Sequence, residues 1–210
     1  MVDLTKAGYQ RAQAAPLLKL ARESTDVKDL VVGGESLYTL VLKTLEVEAL
    51  RAANQRFDAS VAREAFMKEL FMKHYRAAAN GQAKPKFVLS FGQGHLGRGI
   101  DGRGVSTLGN FVAELAVSEG LQSFHAVLFA AGGKYSLGGL HDIDRRKDEP
   151  AFAFLASLAK YPASVFDVRP IRPLLHALPT PLSSRDSSLL YWADAYDAII
   201  CYREVTPLGV

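Results

Sequence analysis

Cysteine is nearly absent: the 210-residue chain has one, Cys201, so no intrachain disulfide can form. With no second cysteine and no His-Glu-x-x-His-like spacing, a structural zinc site is not expected either. A marked excess of charge is also missing, because 25 Lys and Arg face 22 Asp and Glu for a formal charge of +3. The two signs are interspersed, so electrostatics supply no reason to expect a nucleic acid or an anionic membrane as partner. The densest basic cluster, Arg145-Arg146-Lys147, is bracketed by Asp142, Asp144, Asp148 and Glu149 and reads as a solvated loop. No apolar run approaches the roughly 20 residues of a membrane span. Val2-Asp3-Leu4-Thr5-Lys6 lacks the charged-then-apolar order of a secretion signal, so a soluble chain is expected, its compartment unspecified. There is no Gly-x-Ser-x-Gly elbow, which argues against a serine hydrolase, and no internal repeat.

What is present is enough apolar material for a real core. Hydrophobic residues make up 49% and charged residues 22%, as expected of a single globular domain over 1–210. Residues 1–82 read as helical. Leu37, Leu40, Val41, Thr44 and Leu45 recur at helical spacing behind Ser36. A second helix, capped by Asp58 or Ser60, carries Val61, Ala65, Leu70, Phe71 and His74 toward a stop at Asn80-Gly81. Pro16 divides Leu4–Glu23 into two short helices, or starts one. From residue 83 the period changes. Strand-like runs at Phe87–Phe91, Phe124–Ala130, Ser164–Val168 and Asp197–Arg203 alternate with helical patterns, most clearly Leu108, Phe111, Val112 and Leu115 behind Ser106-Thr107. The alternation predicts βαβ units. Near-continuous apolar strands such as Ala126-Val127-Leu128-Phe129 predict a sheet buried on both faces, hence a three-layer α/β domain with a mostly parallel sheet flanked by helices.

Candidate chemistry gathers where Phe87-Val88-Leu89-Ser90-Phe91 opens into Gly92-Gln93-Gly94-His95-Leu96-Gly97-Arg98-Gly99, with six glycines from Gly92 to Gly104. Open α/β sheets present polar groups to ligands at the carboxyl ends of their strands, which makes His95 the first candidate. An unperturbed imidazole titrates near pH ~6.5, suiting a general base. Arg63 is the candidate partner, able to hold a carboxylate or oxyanion by paired hydrogen bonds; its alternative is a surface ion pair with Glu64 or Glu69. The two side chains are expected to meet in one cleft. Gln93, Gly94 and Arg98 are the candidate substrate-binding residues, with main-chain N–H groups of Gly94, Gly97 and Gly99 as a cradle.

Elsewhere the histidines point to packing or turns. His74 reads as a half-buried helical residue, His125 as a strand residue facing one side of the sheet, and His176 as structural. His141 with Asp142 and Asp144 reads either as a His–carboxylate pair or divalent-ion turn, or as a solvated loop. Ser183-Ser184-Arg185-Asp186 reads as a helix cap. Gly94, Gly97 and Gly99 approach a dinucleotide fingerprint. The loop is too long, however, and the next strand exits at Ala130-Ala131 without an acidic ribose partner, so no cofactor is expected.

The order of Arg63-Glu64-x-x-Met67, Lys86–His95, the helix from Ser106, the strand ending Ala130-Ala131-Gly132-Gly133 and the close Tyr196–Pro207 resembles the carboxy-terminal half of the erythromycin esterase-like family. That family looks related to the ChaN-type haem-uptake proteins and shares their α/β architecture. The resemblance covers roughly residues 55–207 and implies a metal-independent hydrolase of an ester or related acyl bond acting on a small molecule. In the family, a His-Asn-x-His signature follows the strand; here Gly92 and Gln93 replace its first two residues and His95 matches the last. The resemblance therefore implies an incomplete or degenerate hydrolase, a piece of a longer enzyme. The competing expectation is a non-catalytic small-molecule binding or interaction domain that kept the fold.

Overall fold

The computed structural model describes residues 14–23, 31–32, 35–79, 84–136, 140–143 and 149–207. Residues 2–6, the segment before Ala14, Asn80-Gly81, Asp144 and Arg145–Lys147 lie outside the described residues, and so do the expectations resting on them. The chain forms two compact units, one of Met1–Leu89 with Ile100–Ser106, the other of Ser90–Gly99 with Thr107–Val210.

The first unit is helical. It comprises α1 (Ala14–Glu23), a short antiparallel pair of β1 (Val31–Val32) and β2 (Glu35–Ser36), α2 (Leu37–Ala52) and α3 (Arg56–Ala79). Ser36 stands at the expected start of α2. The turn into α3 places Asn54 at φ 61°, the left-handed region that asparagine tolerates better than most residues. Because α3 begins at Arg56, Asp58 lies in its first turn, where a carboxylate complements the helix dipole. Ser60 sits deeper, its hydroxyl donating back to the Arg56 carbonyl at 3.0 Å. Glu64 is only 1% exposed. Arg103 lies 3.6 Å from its carboxylate and also pairs with Asp101. Asp101 closes the 100–106 turn by accepting the main-chain N–H groups of Arg103 at 2.9 Å and Val105 at 3.1 Å. His74, expected to be half-buried, is exposed.

Phe87–Phe91 is not a strand. Phe87 packs on α3, its ring 5.6 Å from Phe71 and 5.7 Å from Tyr75, while Val88 is 97% exposed. Among the described residues no strand pairs with the run to satisfy its backbone, and Phe87 joins an aromatic cluster instead.

The second unit has α/β character. After α4 (Gln93–Leu96) and α5 (Leu108–Ser118) come β3 (Ala126–Ala130), a hairpin of β4 (Gly133–Ser136) and β5 (Leu140–Ile143), α6 (Pro150–Leu158), β6 (Ala163–Asp167), a 3-10 turn at Arg169–Ile171, α7 (Arg172–His176), α8 (Ser184–Ala195) and β7 (Ala198–Tyr202). Two caps form as expected. Thr107 accepts from the Asn110 N–H at 2.9 Å and Ser183 from the Asp186 N–H at 3.1 Å. His141 and Asp142 fall on β5, not in a loop, with His141 stacked on Tyr135.

The three-stranded sheet has the order β3-β7-β6, with β3 parallel and β6 antiparallel to β7. This corrects the three-layer, mostly parallel sheet expected from the apolar runs. Ala130 and Ala163 both pair with Tyr202, so the chain between β3 and β6 leaves and re-enters at one end of the sheet without crossing it. Burial alternates along β3. Val127 and Phe129 join Ile199, Cys201, Phe152, Leu155, Leu189 and Ala193 in the core, with Phe129 stacked on Phe152 at 4.2 Å and Phe152 4.6 Å from Trp192. On the other face Leu128 is 56% and Val165 68% exposed, both in register with Ile200. An apolar run therefore does not here mean a strand covered on both sides.

Candidate functional site

The glycine-rich segment docks at the amino ends of β3 and β7, not at a strand exit. Its main chain is held from several directions. The Tyr196 hydroxyl donates to the Gln93 carbonyl, His125 Nδ1 donates to the Leu96 carbonyl at 2.7 Å, and the Thr107 hydroxyl donates to the Gly97 carbonyl. The Arg98 N–H donates to the Ala195 carbonyl at 3.0 Å and the Gly99 N–H to Asn110 Oδ1 at 2.8 Å. α5 comes so close that a Cβ on Gly109 would collide with the Leu96 carbonyl. Gly97 is hemmed in by Tyr196 and Ala195.

Within this fixed stretch, His95 is half-buried in the one-turn α4, its N–H donating to the Gly92 carbonyl at 3.0 Å. Gly94 beside it is open, since a Cβ there would meet nothing within 4 Å. Gln93 is half-buried and engaged through its carbonyl. Arg63 is exposed on α3 of the first unit, whereas His95, Gln93, Gly94 and Arg98 belong to the second.

Arg98 turns inward. Its Nη2 pairs with Asp197 Oδ2 and donates to the Ser123 carbonyl at 3.4 Å. Asp197 Oδ2 also accepts the His125 N–H at 2.9 Å, and Oδ1 accepts from Arg172 Nη2 at 3.0 Å. Arg172 in turn donates to the Ala193 and Tyr196 carbonyls, fastening the end of α8 to the start of β7. The Asp197 side chain is 6% exposed and those of Arg98 and Arg172 about a quarter. Burial alone would raise the Asp197 pKa. The hydrogen bonds from Arg98, His125 and Arg172, with the Arg98 charge, outweigh it and bring the carboxyl to about 2. Burial pushes the His125 pKa below the ordinary imidazole value, the bond to Leu96 opposes it, and the Arg98 charge lowers it further. His125 is thus neutral at pH 7, and two guanidiniums around one carboxylate leave the cluster one positive charge in excess. Burial likewise raises the Tyr196 phenol and the Cys201 thiol above their usual ranges, so neither ionises near neutrality.

Sequence reading missed Asp197, Arg172 and Ser123 and took His125 only for a sheet residue. A signal existed in Asp197, the lone acid opening the otherwise apolar Ala198–Tyr202. Nothing local marks Arg172 as its partner, because the pairing spans 25 residues. Among the described residues no group of three or more His, Cys, Asp or Glu could hold a metal ion, and no helix is long and apolar enough to cross a membrane. The chain matches no protein-family model, no curated protein and no solved structure.

Proposed function

We propose that the chain is an esterase-like domain that hydrolyses an ester or related acyl bond of a small molecule, with His95 as the general base. The observation that carries this reading is the fixation of the main chain on both sides of His95, at Gln93 and at Leu96 to Gly99, while the imidazole itself is only half-buried and Gly94 opens the space next to it. Held this way, the backbone that carries the base is already in place before a substrate arrives, which lowers the entropic cost of proton abstraction from water. Resemblance to the erythromycin esterase-like family supports the same chemistry.

A second reading, a non-catalytic binding domain that kept the fold, is favoured by one observation: Arg98, the loop cation nearest His95 in sequence, is committed to Asp197. A panel of aryl and alkyl esters separates the two. Hydrolysis is expected from the wild type and a loss of at least about 100-fold in His95→Ala at unchanged circular dichroism. Absence of turnover across the panel, or full activity in the variant, overturns the catalytic reading.

A further inference from the structure

Ser123 and His125 are two residues apart in the extended segment leading into β3, and side chains at that spacing share one side of the backbone. Ser123 Oγ lies 2.9 Å from His125 Nε2, within reach for general-base proton transfer. The Leu96 carbonyl at Nδ1 can only accept, so Nδ1 carries the proton, and in the neutral ring Nε2 is left to accept the serine proton. Leu96 O thereby does the orienting that a carboxylate does in a Ser-His-Asp triad. Burial keeps the imidazole in that neutral form. The surroundings reinforce the pair, because Asp197 holds the His125 N–H and Arg98 donates to the Ser123 carbonyl. His125 is buried and Ser123 partly exposed, so the base lies behind the nucleophile.

We propose that Ser123 and His125 form a nucleophilic dyad that takes the acyl group of a carboxylic ester onto Ser123 Oγ. The dyad goes beyond the His95 reading: no step passes through His95, so an ester turned over at Ser123 keeps its rate in His95→Ala, whereas one that depends on His95 loses it. Oγ attacks the carbonyl carbon and its proton moves to His125 Nε2. Collapse of the tetrahedral adduct breaks the bond to the leaving alkoxide, which takes the proton back from Nε2. Water then enters by the same route, giving the acid and restoring Ser123. Leu96, Asp197 and Arg98 are positioning groups.

A fluorophosphonate probe tests the dyad on the intact chain: Oγ displaces fluoride at phosphorus and leaves a phosphonylated serine that peptide mass spectrometry locates. One adduct is expected, on Ser123, formed at least about 100-fold faster than on the exposed Ser157 or Ser184. Ser123→Ala abolishes it, and His125→Gln slows it by a similar factor. Mapping the adduct on the wild type needs no variant, so the test survives misfolding of His125→Gln. No adduct on Ser123, or one spread evenly over surface serines, overturns the dyad. Ester turnover that is lost in His95→Ala while Ser123 stays unlabelled also overturns it and leaves the His95 reading in place. Labelling of Ser123 at the wild-type rate in His95→Ala supports the dyad whatever becomes of that reading.

Discussion

Asp197→Asn is the most direct probe of the arginine–aspartate network, because it removes a charge while almost preserving shape. Lowering the carboxyl pKa from 3.8 to about 2 corresponds to about 2 kcal/mol of folding free energy at neutral pH. The variant also strands two guanidiniums, each about three-quarters buried, and breaking such a buried pair costs about 3–5 kcal/mol. Since Arg98 and Arg172 keep some contact with solvent, the lower end applies. At about 2–4 °C per kcal/mol for a chain of this size, a loss of about 3 kcal/mol lowers the Tm by about 6–12 °C. Trp192 is the only tryptophan, packs against Phe152 and Tyr196, and reports unfolding of the second unit by its fluorescence. A fall in Tm below about 2 °C would show that the Asp197 charge is not holding the amino ends of β3 and β7.

Two further outcomes follow from the same geometry. The folded-state pKa values of His125 and Asp197 both lie below their unfolded values, so each contributes stability above its unfolded pKa and loses it as pH falls. Denaturant midpoints should therefore decline first below about pH 6.5 and again from about pH 4 toward pH 2, the second limb shrinking in Asp197→Asn without vanishing, because hydrogen bonds hold other carboxyls, Asp167 and Asp186 among them, below their ordinary range as well; a flat profile from pH 7 to pH 3 would contradict the assigned protonation states. Gly109→Ala pushes a methyl group into the Leu96 carbonyl and should cost about 1–3 kcal/mol while exposing the Arg98 bond to limited proteolysis; unchanged stability would mean that α5 does not seat the loop.

The parts of the fold legible in the sequence were those written in local chemistry. Thr107 and Ser183 cap helices because each has an N–H three residues on to satisfy, and the apolar strands Ala126–Ala130 and Ala198–Tyr202 carry enough β-branched and large residues to be found from composition. Phe87–Phe91 carried the same signal and formed no strand, since strand formation needs a partner that local sequence does not name. The direction of β6 was equally hidden, being set by where the preceding connection re-enters the sheet. At the candidate site the glycines marked the place and His95 the chemistry. Arg98, legible as a ligand-binding cation, faces a carboxylate 99 residues away that no local pattern could pair with it.

The path of the chain between the two units has a practical meaning for anyone wishing to cut it. The backbone passes from one to the other after Leu89, back after Gly99 and over again after Ser106, so no single scission yields both pieces whole. A fragment ending at Leu89 would retain Glu64 but forfeit Arg103, the guanidinium 3.6 Å from that buried carboxylate. A fragment starting at Ser90 would drag along a seven-residue strip, Ile100–Ser106, whose lysine clasp, Lys68 on Ser106, had been left behind. Dissection therefore calls for excising that strip and splicing Gly99 to Thr107 through a short linker, a rearrangement that recombination at one crossover point does not produce.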